Sequence, residues 1–296
     1  MILGDSVTTH RRRGDNRAYA IGIARAAGGA ILFAFPLMMT MEMWQLGFYL
    51  DRLRLFIFLV VGLVILVPLS RFVGFEHTST WTEDTLDALA AFGIGILASA
   101  LLLALFGLIA PGMSWSDVIG KIAMQAVPAS FGAVLARTQM AAQGSGGQDP
   151  GGEQDQGGKQ ESHERRAGYA GQLFIMMAGA LFLAFNVAPT EEMILIAFKM
   201  TAFHAIALIL FSILLLHAFV YALGFGGQEE LPEEMSLLGG LVTYSMAGYG
   251  IALAVSLYVL WTFGRTDGVS AGQIASMVAV MGFPSALGAA SARLVA

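Results

Sequence analysis

Glu42 and Glu192 are the residues of this chain best placed to do chemistry. Each closes a Thr-x-Glu motif followed by Met at the end of a long apolar run, Thr40 to Met43 in one case and Thr190 to Met193 in the other. A carboxylate beside the hydrocarbon core is costly to keep charged, and such groups mark ion or proton paths. A helix-breaking residue precedes each, Pro36 before Glu42 and Asn186 before Glu192. A broken helix frees backbone carbonyls that can coordinate a cation beside a carboxylate. Thr40, Thr190 and Asn186 supply further oxygens. Thr and Glu two positions apart are separated by about 200° around a helix, so they converge only where the helix is unwound. The plainer alternative is a pair of hydrated carboxylates at the interface, capping the segment that follows.

The elements that must position these residues are membrane spans. The chain has 296 residues, 56% of them hydrophobic and 12% charged, with a mean hydropathy of +0.70. A soluble domain carries about 25% charged residues, so a single water-soluble globule is excluded. A bilayer-crossing helix needs about 20 apolar residues. Suitable runs lie at 19–41, 53–73, 86–110, 118–136, 169–188, 197–223, 237–263 and 274–295. Lipid offers the backbone no hydrogen bonds, so these runs are read as helices. A membrane barrel would show short alternating segments rather than a run such as Leu101-Leu102-Leu103-Ala104-Leu105-Phe106. The expected fold is an all-α polytopic membrane protein. Residues 1–16 are read as a disordered cytoplasmic tail, 17–138 as a first four-helix unit, and 168–296 as a second. Between them, 139–167 are rich in Gly, Gln and charged residues and are read as a disordered linker. Arg25 interrupts the first apolar run and no small-residue cleavage site follows, so helix 1 is read as uncleaved.

The absence of cysteine excludes a disulfide framework, a thiolate metal site and a cysteine nucleophile. A net charge of -5 argues against nucleic acid as a partner. Laid out on eight spans, Arg11, Arg12, Arg13, Arg17, Arg25, Arg71, Arg137, Lys159, Arg165, Arg166 and Arg293 fall on one side. Arg52, Arg54, Lys121, Lys199 and Arg265 fall on the other. The positive-inside rule therefore puts both termini and the linker in the cytoplasm. The acidic loop with Glu229, Glu230, Glu233 and Glu234 falls on the cytoplasmic side too, and acidic residues count little in that rule.

The two halves also match each other. Gly29, Ala30, Ala34, Phe35, Thr40, Glu42 and Met43 recur at one spacing as Gly179, Ala180, Ala184, Phe185, Thr190, Glu192 and Met193, and Gly74-Phe75 recurs as Gly224-Phe225. At a slightly larger spacing Ala123, Pro128, Gly132, Ala133, Ala136 and Arg137 recur as Ala279, Pro284, Gly288, Ala289, Ala292 and Arg293. This reads as a tandem duplication of a four-helix unit. An even number of spans per unit makes the repeats parallel, related by a pseudo-two-fold axis along the membrane normal. Pro128 and Pro284, each followed by small residues, suggest kinked helices that pack closely on their neighbours.

The combination of Pro36-Leu37-Met38-Met39-Thr40-Met41-Glu42-Met43-Trp44 with Ala184-Phe185-Asn186-Val187-Ala188-Pro189-Thr190-Glu191-Glu192 resembles a bacterial family of integral membrane proteins of unknown function, the domain of unknown function 2391 type. The resemblance covers nearly the whole chain outside the tail and linker. It implies a bacterial inner (plasma) membrane and carries no activity with it.

The remaining polar positions have plain readings. Arg25, Lys121 and Lys199 fit side chains snorkelling to an interface. His204 and His217 are separated by about 20 Å of helical rise and cannot share one metal ion. The four glutamates at 229–234 lack the alternation of a calcium loop and read as a solvated loop. No His-Glu-x-x-His, Gly-x-Ser-x-Gly or phosphate-loop signature is present. Glu191-Glu192 faintly resembles the Glu-Glu motif of intramembrane proteases, but Ile196 stands where that motif wants an arginine. The chain is therefore expected to be no enzyme and to carry no cofactor and no metal site. Its expected partners are the lipid bilayer and a small ion or polar solute, with a homo-oligomer also admitted. The expected function is transport or channelling, with Glu42, Glu192, Thr40, Thr190 and Asn186 near the pathway. The alternative is a non-transporting membrane scaffold or sensor, motivated by the scarcity of polar groups in mid-membrane.

Overall fold

A computed structural model describes residues 5–73, 80–144, 169–221 and 237–295. The first half contains α1 (Asp5–Met38), α2 (Met41–Tyr49), α3 (Arg52–Val73), α4 (Trp81–Leu105) and α5 (Trp115–Gly144). The second contains α6 (Tyr169–Val187), α7 (Glu191–Lys199), α8 (Ala202–Tyr221), α9 (Leu237–Gly240), a π-helical stretch (Leu241–Met246), α10 (Ala247–Thr262) and α11 (Ala271–Val295). Among the described residues there is no strand, and 8 helices are long and apolar enough to cross a membrane.

The spans lie where the apolar runs predict, but their ends differ for local reasons. The run read as ending at 41 stops at Met38, and the run read as starting at 197 begins at Ala202. Between spans lie two short nine-residue helices, α2 and α7, that apolar composition alone merges with their neighbours. α4 starts earlier than read, because Thr80 and Glu83 form a reciprocal cap in which the Thr80 side chain accepts from the Glu83 amide and the Glu83 carboxylate accepts from the Thr80 amide. It stops at Leu105 because Gly107 turns left-handed, at φ 69°. Residues 5–16, expected as a disordered tail, are helical and continuous with the first span, since helix propagation from a formed apolar segment needs no new nucleus. Residues 139–144 likewise extend α5 instead of beginning the linker. The rest of the linker, the acidic loop at 229–234, and Gly74-Phe75 and Gly224-Phe225 lie outside the described residues.

Each half packs around its last helix. α5 lies against α1, α2, α3 and α4, and α11 lies against α6, α7, α8 and α10. The reason is small residues at the crossing points. A Cβ on Gly132 would meet the Gly29 carbonyl and Phe33, and a Cβ on Gly179 would meet the Gly288 carbonyl and Ala292. In lipid, where apolar side chains gain nothing by leaving solvent, such backbone approach is what holds helices together. Pro128 and Pro284 sit inside α5 and α11, just before these crossings.

The halves meet along an aromatic seam. Phe33 lies 4.4 Å from Phe182, Phe58 lies 5.5 Å from Phe185 and 5.9 Å from Phe263, and Phe131 lies 6.0 Å from Phe185, ring centre to ring centre. Beside Phe58, Phe131 and Phe185 a small space, lined also by Gly62, Val127, Leu181 and Tyr258 among others, has no room for a water molecule.

Candidate functional site

The two Thr-x-Glu elements fold alike. Thr40 is extended at φ -93° and ψ 122°, and Thr190 at φ -72° and ψ 144°, so the chain unwinds at both threonines. The Thr40 hydroxyl donates to the Leu37 carbonyl at 2.7 Å, and the Thr190 hydroxyl to the Val187 carbonyl at 2.8 Å. Each threonine thus closes the carbonyl end of one span and opens a short helix. Each short helix then ends at an extended residue, Leu50 or Met200. The next span is capped in both halves. Asp51 Oδ1 accepts from the Arg54 amide at 3.2 Å, and Thr201 Oγ1 accepts from the His204 amide at 3.4 Å.

Glu42 and Glu192 fall in the first turns of α2 and α7, where the positive end of a helix favours a carboxylate. Glu42 is half-buried and Glu192 exposed. The structure does not converge Thr40, Thr190 or Asn186 on them. Both threonine hydroxyls are held by their own helix ends, and the Asn186 amide donates to the Phe182 carbonyl at 2.8 Å. Among the described residues no three His, Asp or Glu side chains gather as metal ligands.

Basic groups line the same end of the molecule. Arg265 donates from its guanidinium to the Pro189 carbonyl, directly beside Thr190. Lys121, buried, donates to the Leu108 carbonyl at 2.8 Å and lies 5.3 Å above the Trp44 ring. Arg52 donates to Ser116 Oγ at 2.6 Å. Arg54 makes a two-pronged contact with Asp267, 2.8 Å at each oxygen, and its guanidinium lies 5.2 Å from the centre of the Trp261 ring. This contact ties α3 of the first half to the loop between α10 and α11. Arg25 and Lys199 are exposed. His204 is exposed as well and pairs with Thr201, while His217 lies 3.0 Å from Ser245 in the π-helical stretch.

The Arg54 guanidinium holds the Asp267 carboxyl below its usual range, mainly through their hydrogen bond. A lowered folded-state pKa contributes stability that is fully present above the ordinary Asp pKa and is lost as pH falls through the lowered one. The pair is solvent-exposed, so Asp267→Asn is expected to cost about 1 kcal/mol or less at neutral pH. Thermal melts of both proteins from pH 7 downward should converge once the medium is more acidic than the ordinary carboxylate range.

Sequence reasoning missed three features here. The Arg54–Asp267 contact joins residues 213 apart and leaves no local pattern. Gln125, wholly buried in α5, has no protein partner for either amide atom among the described residues, and a lone amide in an apolar helix was its only signal. The third is a matched cap. Phe106 donates to the Leu102 carbonyl and Leu108 to the Leu103 carbonyl; Phe263 donates to the Val259 carbonyl and Arg265 to the Leu260 carbonyl. Gly107 and Gly264 carry φ 69° and 72°. The signal was available as Phe106-Gly107 and Phe263-Gly264.

Eight apolar spans joined by capped turns, with tryptophans 44, 81, 115 and 261 near the span ends, define a multi-pass helical membrane protein. A family model described as "Putative integral membrane protein (DUF2391)" matches residues 22–296, and the chain belongs to that family. No curated protein and no solved structure matches it.

Proposed function

We propose that the chain is a tandem duplication of one membrane unit, and that it passes a small ion or polar solute across a bacterial inner membrane with both termini in the cytoplasm. The observation that carries this reading is the doubled broken-helix element, in which Thr40 and Thr190 end a span in the same way and set Glu42 and Glu192 at the start of a short helix. Repeat transporters build their sites on such interrupted helices. The positive-inside count puts these carboxylates at the outer face, where they would concentrate cations at a mouth. Thr40, Thr190 and Asn186 shape that mouth by ending the spans. In this proposal the chain performs no covalent chemistry.

A second reading, a scaffold or sensor without transport, is favoured by the aromatic seam, where the space beside Phe58, Phe131 and Phe185 has no room for a water molecule. Ion and proton flux in proteoliposomes decides between them. Wild-type protein is expected to conduct, and a Glu42→Gln, Glu192→Gln variant with an unchanged melting temperature is expected to conduct about tenfold less, the low end of what a charged cleft adds by concentrating counter-ions. Wild-type flux no greater than that of empty liposomes, across Na+, K+, Cl- and protons, would overturn the ion-transport reading and leave the scaffold or sensor as the one to pursue.

A further inference from the structure

The first half buries polar groups that the second half does without. Lys121 in α5 is 7% exposed, and Gln125, one turn deeper, is 0% exposed. The spacing that pairs Pro128 with Pro284 pairs them with Met277 and Met281 of α11, which are 1% and 0% exposed. An apolar side chain fills each place in the second half, so packing alone asks for neither a cation nor an amide in the first.

The protein satisfies neither group. An ammonium carries three N–H donors. The partners of Lys121 are the Leu108 carbonyl, at 2.8 Å, and the face of the Trp44 ring, at 5.3 Å. Among the described residues no carboxylate forms an ion pair with it, although Asp117 stands one turn before it on α5 and Glu42 two residues before Trp44. Arg52 brings a second positive charge to the same crossing of α2 and α5. Its guanidinium lies where a Cβ on Gly120 would fall, and it donates to the Gly47 carbonyl and to Ser116 rather than to an acid. Both amide atoms of Gln125 are without a partner. Side chains on a helix lean toward its N-terminus, which directs the Gln125 amide toward the turn that carries Lys121.

A buried charge without a counter-charge and a buried amide without a partner are both costly. A water molecule would answer the amide and leave the charge; an anion answers both. We infer that the first half binds a small anion of the halide class at the crossing of α2 and α5, held by the Lys121 ammonium and by Nε2 of Gln125. The burial of both side chains limits the ligand to one or a few atoms, and the surface edge of Lys121 is its way in. The site does not depend on the transport reading, because a resident anion serves equally as a fixed part of the crossing.

The test is the unfolding midpoint of the full chain in detergent as chloride or bromide replaces gluconate at constant ionic strength. A ligand that binds the folded state raises the midpoint, here by about 3 °C once halide stands about tenfold above its Kd. A Lys121→Met, Gln125→Met variant, which carries the side chains of the second half, is expected to show no halide response. Gln125→Met alone keeps every charge and is expected to bind radiolabelled chloride about tenfold more weakly than wild type, the loss of one hydrogen bond to a charged group; it carries the test where the double variant is not recovered. A wild-type midpoint that is the same in gluconate and in halide overturns the inference and leaves water as the partner of Gln125. An undiminished halide response or chloride affinity in these variants overturns it as well. Halide binding without ion flux removes the transport reading alone, and flux without halide binding removes this site alone.

Discussion

Gly179→Leu is expected to be the most damaging single substitution in the second half of the chain. A Cβ at this position falls on the Gly288 carbonyl and on Ala292, and a Cβ on Gly288 falls in turn on the Gly179 carbonyl. The obstacle is backbone on both sides, so no rotamer change relieves it. α6 and α11 must separate, and with them the contacts that hold the second half around its last helix. Overpacking a close-packed core costs about 1–3 kcal/mol where side chains can shift. A backbone clash belongs at or above the top of that range, enough to consume much of a marginal stability of about 5–15 kcal/mol. Little folded protein should be recovered from membranes, and what is recovered should melt far below wild type in detergent. Gly250→Leu is the control, since a Cβ there meets nothing, and it should melt close to wild type. Equal losses at both positions would show that the crossing is not where the helices are held.

The second large effect is expected at the opposite end of the spans. Asp84, in the first turn of α4, has a side chain 1% exposed, and its Oδ2 lies 3.2 Å from Arg71 of α3. The Arg71 guanidinium also lies 4.8 Å from the centre of the Trp81 ring. Arg71→Ala removes a cationic partner from this buried carboxylate. Breaking a fully buried pair costs about 3–5 kcal/mol. Arg71 keeps 43% of its side-chain exposure, so the expected loss falls at or below the bottom of that range, about 2–3 kcal/mol. Arg71→Met combined with Asp84→Leu should recover most of it, because replacing both partners by apolar groups removes the desolvation cost along with the attraction. A double-mutant cycle on unfolding midpoints reads the difference, and a double variant as unstable as Arg71→Ala would sink the argument.

How far these positions were legible in the amino-acid sequence depends on the range of the force behind each. The spans were legible because the bilayer imposes a length of about 20 apolar residues whatever the tertiary structure. The small-residue crossings could be read from Gly132 and Gly288 after a proline, since close helix approach needs small side chains in a regular pattern. The short helices α2 and α7 were not legible as separate elements. Their residues are as apolar as the spans beside them, and the breaks at Thr40 and Thr190 rest on hydroxyl-to-carbonyl contacts rather than on composition. Glu42 and Glu192 could be found from their recurrence, but the commitment of Thr40, Thr190 and Asn186 to their own helix ends could not. The unequal fates of Phe35 and Phe185, alike in sequence and opposite in burial, are decided by which helix reaches them across the seam.

The contact between Arg54 and Asp267 sets an order of assembly. The main helix–helix contacts of the first unit lie within residues 5–144, so that unit can pack in the membrane while the second is still being made. The last residue needed to tie α3 across the seam is synthesised 213 residues after Arg54. At about 5–20 residues per second, that interval is roughly 10–40 s. Until Phe185 is made, the side of Phe58 that meets it faces lipid or another nascent chain. The seam therefore closes only after the first unit can have packed, which leaves it open to capture by a membrane chaperone or by a neighbouring copy emerging beside it.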